Sequence, residues 1–228
     1  MNKREELQTL LRATVHAFQA FAQNFTLTKT SDELFEPFTR SLKQELGEYD
    51  ILYDYILGKD SVNIDGVTKN YLPQVGDTII MDISVGRNGV WCDICRTFFV
   101  GEVSEEQEAV YEMIKQSIRS GEAALKRGAK AEDIYRAVNA VYQENGRQLV
   151  HHAGHKIGEQ ALLQPQFLAG NTTPVEADRA YTIESGCYDG FGIRLENDYW
   201  VGETTTENLY EPIMNLNIKE YVLYENEA

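Results

Sequence analysis

Two acidic residues interrupt apolar, strand-like segments near the middle of the chain. Asp82 lies in MDISV, and Asp93 lies 11 positions later in WCDICRTFFV. The RNG segment between them is typical of a hairpin turn, so the two carboxylates can approach each other. Adjacent buried carboxylates are costly and repel each other unless a cation lies between them. Either the two residues bind a cation together, or each pairs with a basic side chain such as Arg96.

Three more residues of metal-binding type follow in the second half of the chain. His155 lies in the glycine-flanked segment HHAGHKIG, which holds three of the chain's four histidines. Glu184 follows the apolar segment AYTI, and Glu196 ends GIRLE, where it could instead pair with Arg194. Four carboxylates and one imidazole suit Mn, Fe, Co or Zn. A pair of such ions could share the carboxylates and hold a bridging hydroxide.

Helices and short strands surround these residues. Periodic apolar positions predict helices over residues 5–24, 30–47, 104–125 and 131–145. Apolar runs bounded by turn residues predict strands over residues 53–56, 61–64, 78–85, 90–100, 180–184, 192–196 and 199–201. Antiparallel hairpins interleaved with helices indicate an α+β fold. No linker divides the chain, so we expect a single domain over residues 1–228.

The composition excludes several classes of partner. The net charge of −15 argues against a nucleic-acid partner, because a phosphate backbone favours Lys and Arg. No apolar run approaches the ~20 residues of a membrane span. The N-terminal segment lacks the pattern of a signal peptide, and three cysteines do not make a disulfide framework. We therefore expect a cytoplasmic protein without a membrane partner.

Cys92 and Cys95 form a CxxC pair, a spacing known from redox and zinc sites. The pair lies within a predicted strand and not at a helix N-terminus. Side chains three positions apart on a strand point to opposite faces. This geometry disfavours redox or zinc chemistry at the pair.

The order and spacing of the acidic and histidine segments resemble the pita-bread metallopeptidases. That family includes methionine aminopeptidase, Xaa-Pro aminopeptidase, prolidase and creatinase. GDTIIMDISVGRNGVWCDICRTFFVG resembles its first ligand segment, GHKIG its histidine segment, and YTIESG and GIRLEND its two glutamate segments. The resemblance covers the chain from about Ala13 onward and implies a catalytic domain alone, an antiparallel sheet with flanking helices. It also implies two divalent ions, bound by Asp82, Asp93, His155, Glu184 and Glu196.

The GIRLEND and RTFFVG segments are most similar to the Xaa-Pro aminopeptidase branch, as is the placing of His151 four positions before His155. The branch implies hydrolysis of the N-terminal bond of a small peptide by a metal-bridging hydroxide. Glu184 would be the base, and His151 would contact the substrate. Arg194 and His152 would contact the metal ligands and orient them without binding the metal themselves. A homodimer is compatible with this interpretation.

Two positions depart from the family pattern. Asp65, 17 positions before Asp82, and Leu162, seven positions after His155, stand where the family usually has histidines. Those histidines help to hold the substrate and stabilise the tetrahedral intermediate, so we expect weak peptidase activity. Two alternatives follow. One is a metal-binding pseudoenzyme that holds a peptide or partner on the same fold, and the other is a non-peptide C–N hydrolase like creatinase.

Overall fold

A computed structural model describes residues 2–210 and 216–225, and this part of the chain contains four α-helices and nine strands. The helices are α1 (Lys3–Gln23), α2 (Ser31–Leu46), α3 (Glu105–Ala124) and α4 (Ala131–Glu144). The strands are β1 (Asp50–Leu57), β2 (Thr78–Arg87), β3 (Val90–Val100), β4 (His155–Ile157), β5 (Leu163–Gln166), β6 (Arg179–Cys187), β7 (Ile193–Val201), β8 (Thr206–Asn208) and β9 (Val222–Leu223). The predicted domain also includes residues 1, 211–215 and 226–228, which lie outside the described residues.

Side-chain caps start the helices close to the predicted positions. The Ser104 hydroxyl accepts a hydrogen bond from the Gln107 main-chain N–H at 3.2 Å, and the Gln107 side chain accepts one from the Ser104 N–H at 3.0 Å. This reciprocal pair satisfies two N–H groups that a helix start would otherwise leave unbonded. Asn2 and Glu5 make the same exchange at the start of α1.

The strands form one sheet, in the order β1-β2-β3-β7-β6-β4-β5, with β8 beside β7 and β9 beside β3. Every pairing is antiparallel except that of β9 with β3. The β2–β3 and β6–β7 hairpins join through one registered pair, Cys95 with Glu196. The two hairpins therefore bring their side chains together at the centre of the sheet. This curled antiparallel sheet with flanking helices confirms the predicted α+β class.

The helices cover one face of the sheet and leave the other face for polar side chains. Helix α1 packs on β2 and β3, α3 packs on β6 and β7, and α2 and α4 lie beside them. Along β2, Ile83 belongs to the apolar core below the helices, whereas Asp82 and Ser84 line a cleft on the opposite face. Cys92 belongs to the main core and Cys95 to a small cluster apart from it, as expected for side chains on opposite faces. No helix among the described residues is long and apolar enough to cross a membrane.

Two strand predictions are wrong. Residues 61–64 do not form a strand, because Gly58 has a φ of 58° and the chain turns there into a 3₁₀-helix, Gly58–Val62. The two predicted strands at 192–196 and 199–201 are one strand, β7. The intervening polar residues have buried partners: Asn197 accepts a hydrogen bond from Arg96 at 2.6 Å, and Asp198 accepts one from the Asp93 N–H at 3.1 Å.

Candidate metal centre

An open cleft of about 510 Å³ lies on the face of the sheet that the helices leave uncovered. Six strands and the loop before β4 contribute its polar walls. All eight site residues predicted from the sequence line this cleft: Asp82, Asp93, His151, His152, His155, Glu184, Arg194 and Glu196. The structure thus collects them in one place, although it does not bring them all into mutual contact.

Three of the five predicted metal ligands converge. One ligand atom each from Asp93, His155 and Glu196 lies within 4.8 Å of the other two. The His155 Nε2 atom is 3.4 Å from Asp93 Oδ2 and 3.8 Å from Glu196 Oε1. All three residues are buried. A histidine nitrogen facing two carboxylate oxygens is a ligand set typical of a transition metal or zinc.

The tautomer of His155 follows from its second nitrogen. His155 Nδ1 lies 3.1 Å from the Lys156 carbonyl oxygen, which can only accept, so Nδ1 carries a proton. In the neutral ring, the Nε2 lone pair then points toward two carboxylates. Burial opposes protonation of His155, but the hydrogen bond and charge of Asp93 raise its pKa. A proton or a metal ion between these three groups would remove the repulsion.

Glu196 is poorly satisfied in its surroundings. Its Oε1 atom is buried and has no hydrogen-bond partner. Burial, followed by the negative charge of Asp93, raises the Glu196 pKa well above the ordinary glutamate value. An unbonded carboxylate oxygen in such a place is destabilising. The oxygen points to the same spot as His155 Nε2, so the residues present fit a bound cation there.

Asp82 lies outside this convergent group because it pairs with Arg194. Arg194 Nη1 is 3.1 Å from Asp82 Oδ2, and Arg194 Nη2 is 3.4 Å from Asp54 Oδ2. Burial raises the pKa of Asp82 to about 7, against the opposing charge of Arg194. The suggestion that Arg194 pairs with Glu196 is wrong: its guanidinium reaches across from β7 to β1 and β2.

Glu184 lies among the histidines that precede β4. Its Oε1 is 3.0 Å from His151 Nδ1, and its Oε2 is 3.4 Å from His152 Nδ1. Burial alone would raise the pKa of Glu184, but His151 and His152 lower it well below the ordinary glutamate value. Burial lowers the pKa of His152. Glu184 is also registered opposite Glu196 across β6 and β7, so its carboxylate borders the convergent group.

Four further polar residues belong to the site and were missed in the sequence. Ser84 donates a hydrogen bond to Asp93 Oδ1 at 2.9 Å, and Asp198 accepts one from the Asp93 main chain. The Thr182 hydroxyl accepts a hydrogen bond from the His155 N–H at 3.1 Å, and Asp54 holds Arg194. Asp54 could have been found, because it interrupts an apolar strand as Asp82 does. The others carry no such signal.

Of the two residues that depart from the family pattern, Leu162 lines the cleft and Asp65 does not. Leu162 is 48% exposed and lines the cleft. Asp65 is exposed and is not among the residues that line the cleft, where its neighbour Ile64 is found instead. Asp65 therefore does not line the cleft, although the resemblance places it where the family usually has a substrate-holding histidine. Three exposed apolar residues, Leu52, Ile64 and Leu162, line the cleft.

Arg96 does not neutralise either aspartate. Its guanidinium donates to the Glu196 carbonyl at 2.8 Å and to Asn197, and it lies 4.0 Å from the centre of the Tyr210 ring. It is fully buried. The alternative in which Arg96 pairs with Asp82 or Asp93 is therefore wrong.

Comparison with known proteins identifies the family. Residues 5–203 match the model described as metallopeptidase family M24, and the chain belongs to that family. An uncharacterized peptidase of Methanocaldococcus jannaschii is 26% identical over 200 residues, which cover 78% of this chain and 56% of the relative.

Solved structures show the same fold. Prolidase from Pyrococcus furiosus matches with a TM-score of 0.85 and 22% identity, over 91% of this chain and 63% of the prolidase. X-Pro aminopeptidase from Thermotoga maritima matches with a TM-score of 0.86 and 21% identity, over 97% of this chain and 63% of that chain. These matches confirm the predicted pita-bread fold. The chain spans less than two thirds of the length of each of these three relatives.

Proposed function

We propose that this chain is a metallopeptidase of the Xaa-Pro aminopeptidase or dipeptidase type, which hydrolyses the N-terminal bond of a small peptide. The observation that carries the proposal is the convergence of Asp93, His155 and Glu196 on one buried point at the base of an open cleft. Family membership supports it. We further propose that residues 1–228 act as one catalytic domain.

Asp93, His155 and Glu196 would hold one divalent ion, because their ligand atoms already lie close together. Asp82 and Glu184 line the same cleft and would contribute to a second ion. Mn, Co, Zn and Fe all suit this mixture of oxygen and nitrogen ligands. When bound, such ions lower the pKa of water and polarise the carbonyl of the bond to be cleaved.

We propose that Glu184 acts as the base and that His151 contacts the substrate. Glu184 is held ionised by His151 and His152, so its carboxylate can accept a proton from the attacking water. A carboxylate with a lowered pKa is a weak base, which limits the rate. His151 Nδ1 donates to the His152 carbonyl at 2.6 Å and lies 3.0 Å from Glu184 Oε1, and its buried Nε2 has no hydrogen-bond partner. We propose that the part of the His151 ring that lines the cleft contacts the substrate.

Arg194 and Ser84 are the residues we propose to position the carboxylates. Ser84 fixes one oxygen of Asp93 and leaves the other toward His155. Arg194 places Asp82 beside the convergent group and balances part of its charge. Groups of this kind orient metal ligands and raise metal affinity.

Turnover should be slow, because Leu162 cannot donate a hydrogen bond to a developing oxyanion. We expect the manganese- or cobalt-loaded protein to cleave Xaa-Pro peptides well below a typical kcat of ~10 s⁻¹. Leu162→His should raise kcat by about tenfold or more. Leu72→His, at an exposed leucine outside the cleft, is the matched control and should not change kcat.

A second candidate is a metal-binding module that holds a peptide without cleaving it. The apolar cleft mouth at Ile64 and Leu162 favours it. Failure of both wild type and Leu162→His to cleave any peptide, with metal bound, would decide for this candidate. A creatinase-like C–N hydrolase, a homodimer and a cytoplasmic location remain predictions from the sequence.

A further inference from the structure

Strand β1 is the last strand at one end of the sheet, and part of its outer edge is open. Tyr55 is bonded on that side by the chain itself: its N–H donates to the Gly66 carbonyl at 2.9 Å, and its carbonyl accepts from the Thr68 N–H at 2.8 Å. Main-chain groups alternate in direction along a strand. Ile51 and Tyr53 therefore point their N–H and C=O groups the same way as Tyr55. No described residue bonds to these groups on that side.

The open edge adjoins the candidate metal centre. Leu52 and Asp54 are registered opposite Ser84 and Asp82, so their side chains face the cleft. The neighbouring strand β2 carries Asp82, one strand spacing of ~4.8 Å away. The segment 66–68 shows that this edge can accept an added strand, and it leaves the edge free beyond Tyr55 toward Tyr53.

We propose that the outer edge of β1 at Ile51 and Tyr53 binds the extended part of a peptide substrate as an additional strand. This inference rests on the proposed function. An unpaired edge commonly binds peptides in this way, with main-chain hydrogen bonds giving affinity. The occupant is a substrate peptide because the edge continues directly into the wall of the cleft.

The geometry sets a minimum length for such a substrate. A strand added beyond β1 lies two strand spacings, or ~10 Å, from the strand of Asp82. A peptide advances ~3.4 Å per residue, so about three residues are needed to cross that distance. A dipeptide in the cleft cannot reach the edge, whereas a hexapeptide can. Leu52 and Ile64, which are 57% and 40% exposed on the cleft side, would contact apolar side chains of the added strand.

Binding is measured by calorimetry on the manganese-loaded protein, with peptides that cannot be cleaved. The probes are Ala-Pro and Ala-Pro-Leu-Ser-Leu-Ser, each with the carbonyl of its first peptide bond reduced to CH₂, so that a CH₂–N bond to the proline nitrogen replaces the peptide bond. We expect the hexapeptide to bind about tenfold more tightly or better, from two or more extra hydrogen bonds. Equal affinity of the two peptides would overturn the proposal.

N-methylation of the hexapeptide gives the sharpest signature. Only every second N–H of an added strand faces β1. N-methylation of residues 4 and 6 should therefore change the affinity differently from N-methylation of residues 3 and 5. One of the two methylated peptides should bind about three- to tenfold more weakly than the unmethylated hexapeptide, and the other should bind with little change. The same loss from both pairs would contradict strand addition.

A substitution in β1 tests whether the outward main-chain N–H of Tyr53 contributes to peptide binding. Tyr53→Pro removes an outward N–H without breaking the β1–β2 ladder, because proline is tolerated where the N–H faces away from the sheet. It should reduce the hexapeptide-to-dipeptide affinity ratio toward one. Tyr53→Phe keeps the N–H and the ring stacked on Phe35 at 4.8 Å, and it should retain the ratio. Thermal melting confirms that both variants fold.

The outcomes separate the two proposals. Alternating sensitivity to methylation without hydrolysis of any peptide would support strand addition and refute the peptidase. Hydrolysis without a length preference would leave the peptidase and refute strand addition. If wild type forms a dimer that Tyr53→Pro dissociates, and the hexapeptide does not bind, the edge pairs with a second copy of the chain. That result would overturn the proposal.

Discussion

Ile83 and Ser84 are neighbours in β2, but their side chains lie in opposite environments. Ile83 is fully buried in the core below the helices, whereas Ser84 faces the cleft and bonds to Asp93. The same alternation continues in the other central strands. In β7, Leu195 faces the core, and Arg194 and Glu196 face the cleft.

The two faces make opposite contributions to folding. Apolar burial on the helix face stabilises the sheet by ~25 cal/mol per Å². The cleft face gathers carboxylates whose mutual repulsion and poor hydration oppose folding, as the raised pKa values of Asp82 and Glu196 indicate. A site of this kind is maintained for its chemistry, at a cost that the helix face offsets.

The largest expected effect on the free energy of unfolding is on the helix face. Ile83→Ala should lower it by about 3 kcal/mol, because it leaves a cavity in a fully buried core. Urea titration of metal-free protein measures this change. Metal affinity at a temperature where the variant stays folded should be unchanged. A parallel fall in metal affinity would show that the two faces are not separable.

On the cleft face, a substitution should stabilise the metal-free protein. Glu196→Gln removes a buried charge that has no hydrogen bond on Oε1, so at pH 8 the free energy of unfolding should rise by roughly 1–2 kcal/mol. Because the folded-state pKa of Glu196 is raised above 4.5, wild type loses stability as pH rises from 4.5 through that raised pKa. The advantage of the variant should therefore be smallest near pH 4.5.

Glu6→Gln is a control that should change the free energy of unfolding in the direction opposite to Glu196→Gln. Glu6 is buried, pairs with Arg87 at 2.7 Å, and the hydrogen bond from Arg87 lowers its pKa. Its stabilising contribution is present above the ordinary glutamate pKa and is lost as pH falls through the lowered one. Glu6→Gln should destabilise at pH 8 and lose this effect in acid. If both variants shift stability in the same direction at pH 8, the electrostatic contrast between the regions is wrong.

The smallest expected effect on stability belongs to Ser84→Ala, the neighbour of Ile83. It removes the hydrogen bond to Asp93 Oδ1 and should weaken manganese binding by about tenfold, because partners of metal ligands typically contribute this much. The free energy of unfolding of the metal-free form should fall by only ~1 kcal/mol. Calorimetry and urea titration on one preparation give both values. Unchanged manganese affinity would remove Ser84 from the site.

Much of the fold could be predicted because its signals are local. The apolar periodicity of the helices, the Ser104–Gln107 cap and the turn at Gly89 each depend on a few adjacent residues. The failed strand at 61–64 follows from the left-handed backbone of Gly58, which composition does not reveal. The break predicted in β7 failed because Asn197 has a partner distant in sequence.

The candidate site was predictable in its members but not in its pairings. Charged residues within apolar strands identified Asp82, Asp93 and Glu196, since an acid is costly there without a partner. Which partner each acid takes depends on how strands cross in space. The Arg194 contact with Asp82 and Asp54 spans more than 100 residues of sequence, and no local pattern indicates it.

The metal content of the purified protein tests the central claim most directly. Wild type, Asp93→Ala and Asp65→Ala are each loaded with manganese, desalted and measured by elemental analysis. Asp93 faces His155 at 3.4 Å, whereas Asp65 is an exposed acid that does not line the cleft, so the two variants lose the same charge in different places. We predict up to two ions per chain in wild type and in Asp65→Ala, and a clear loss in Asp93→Ala. Equal metal content in wild type and Asp93→Ala would contradict the assignment of a metal centre to this cleft.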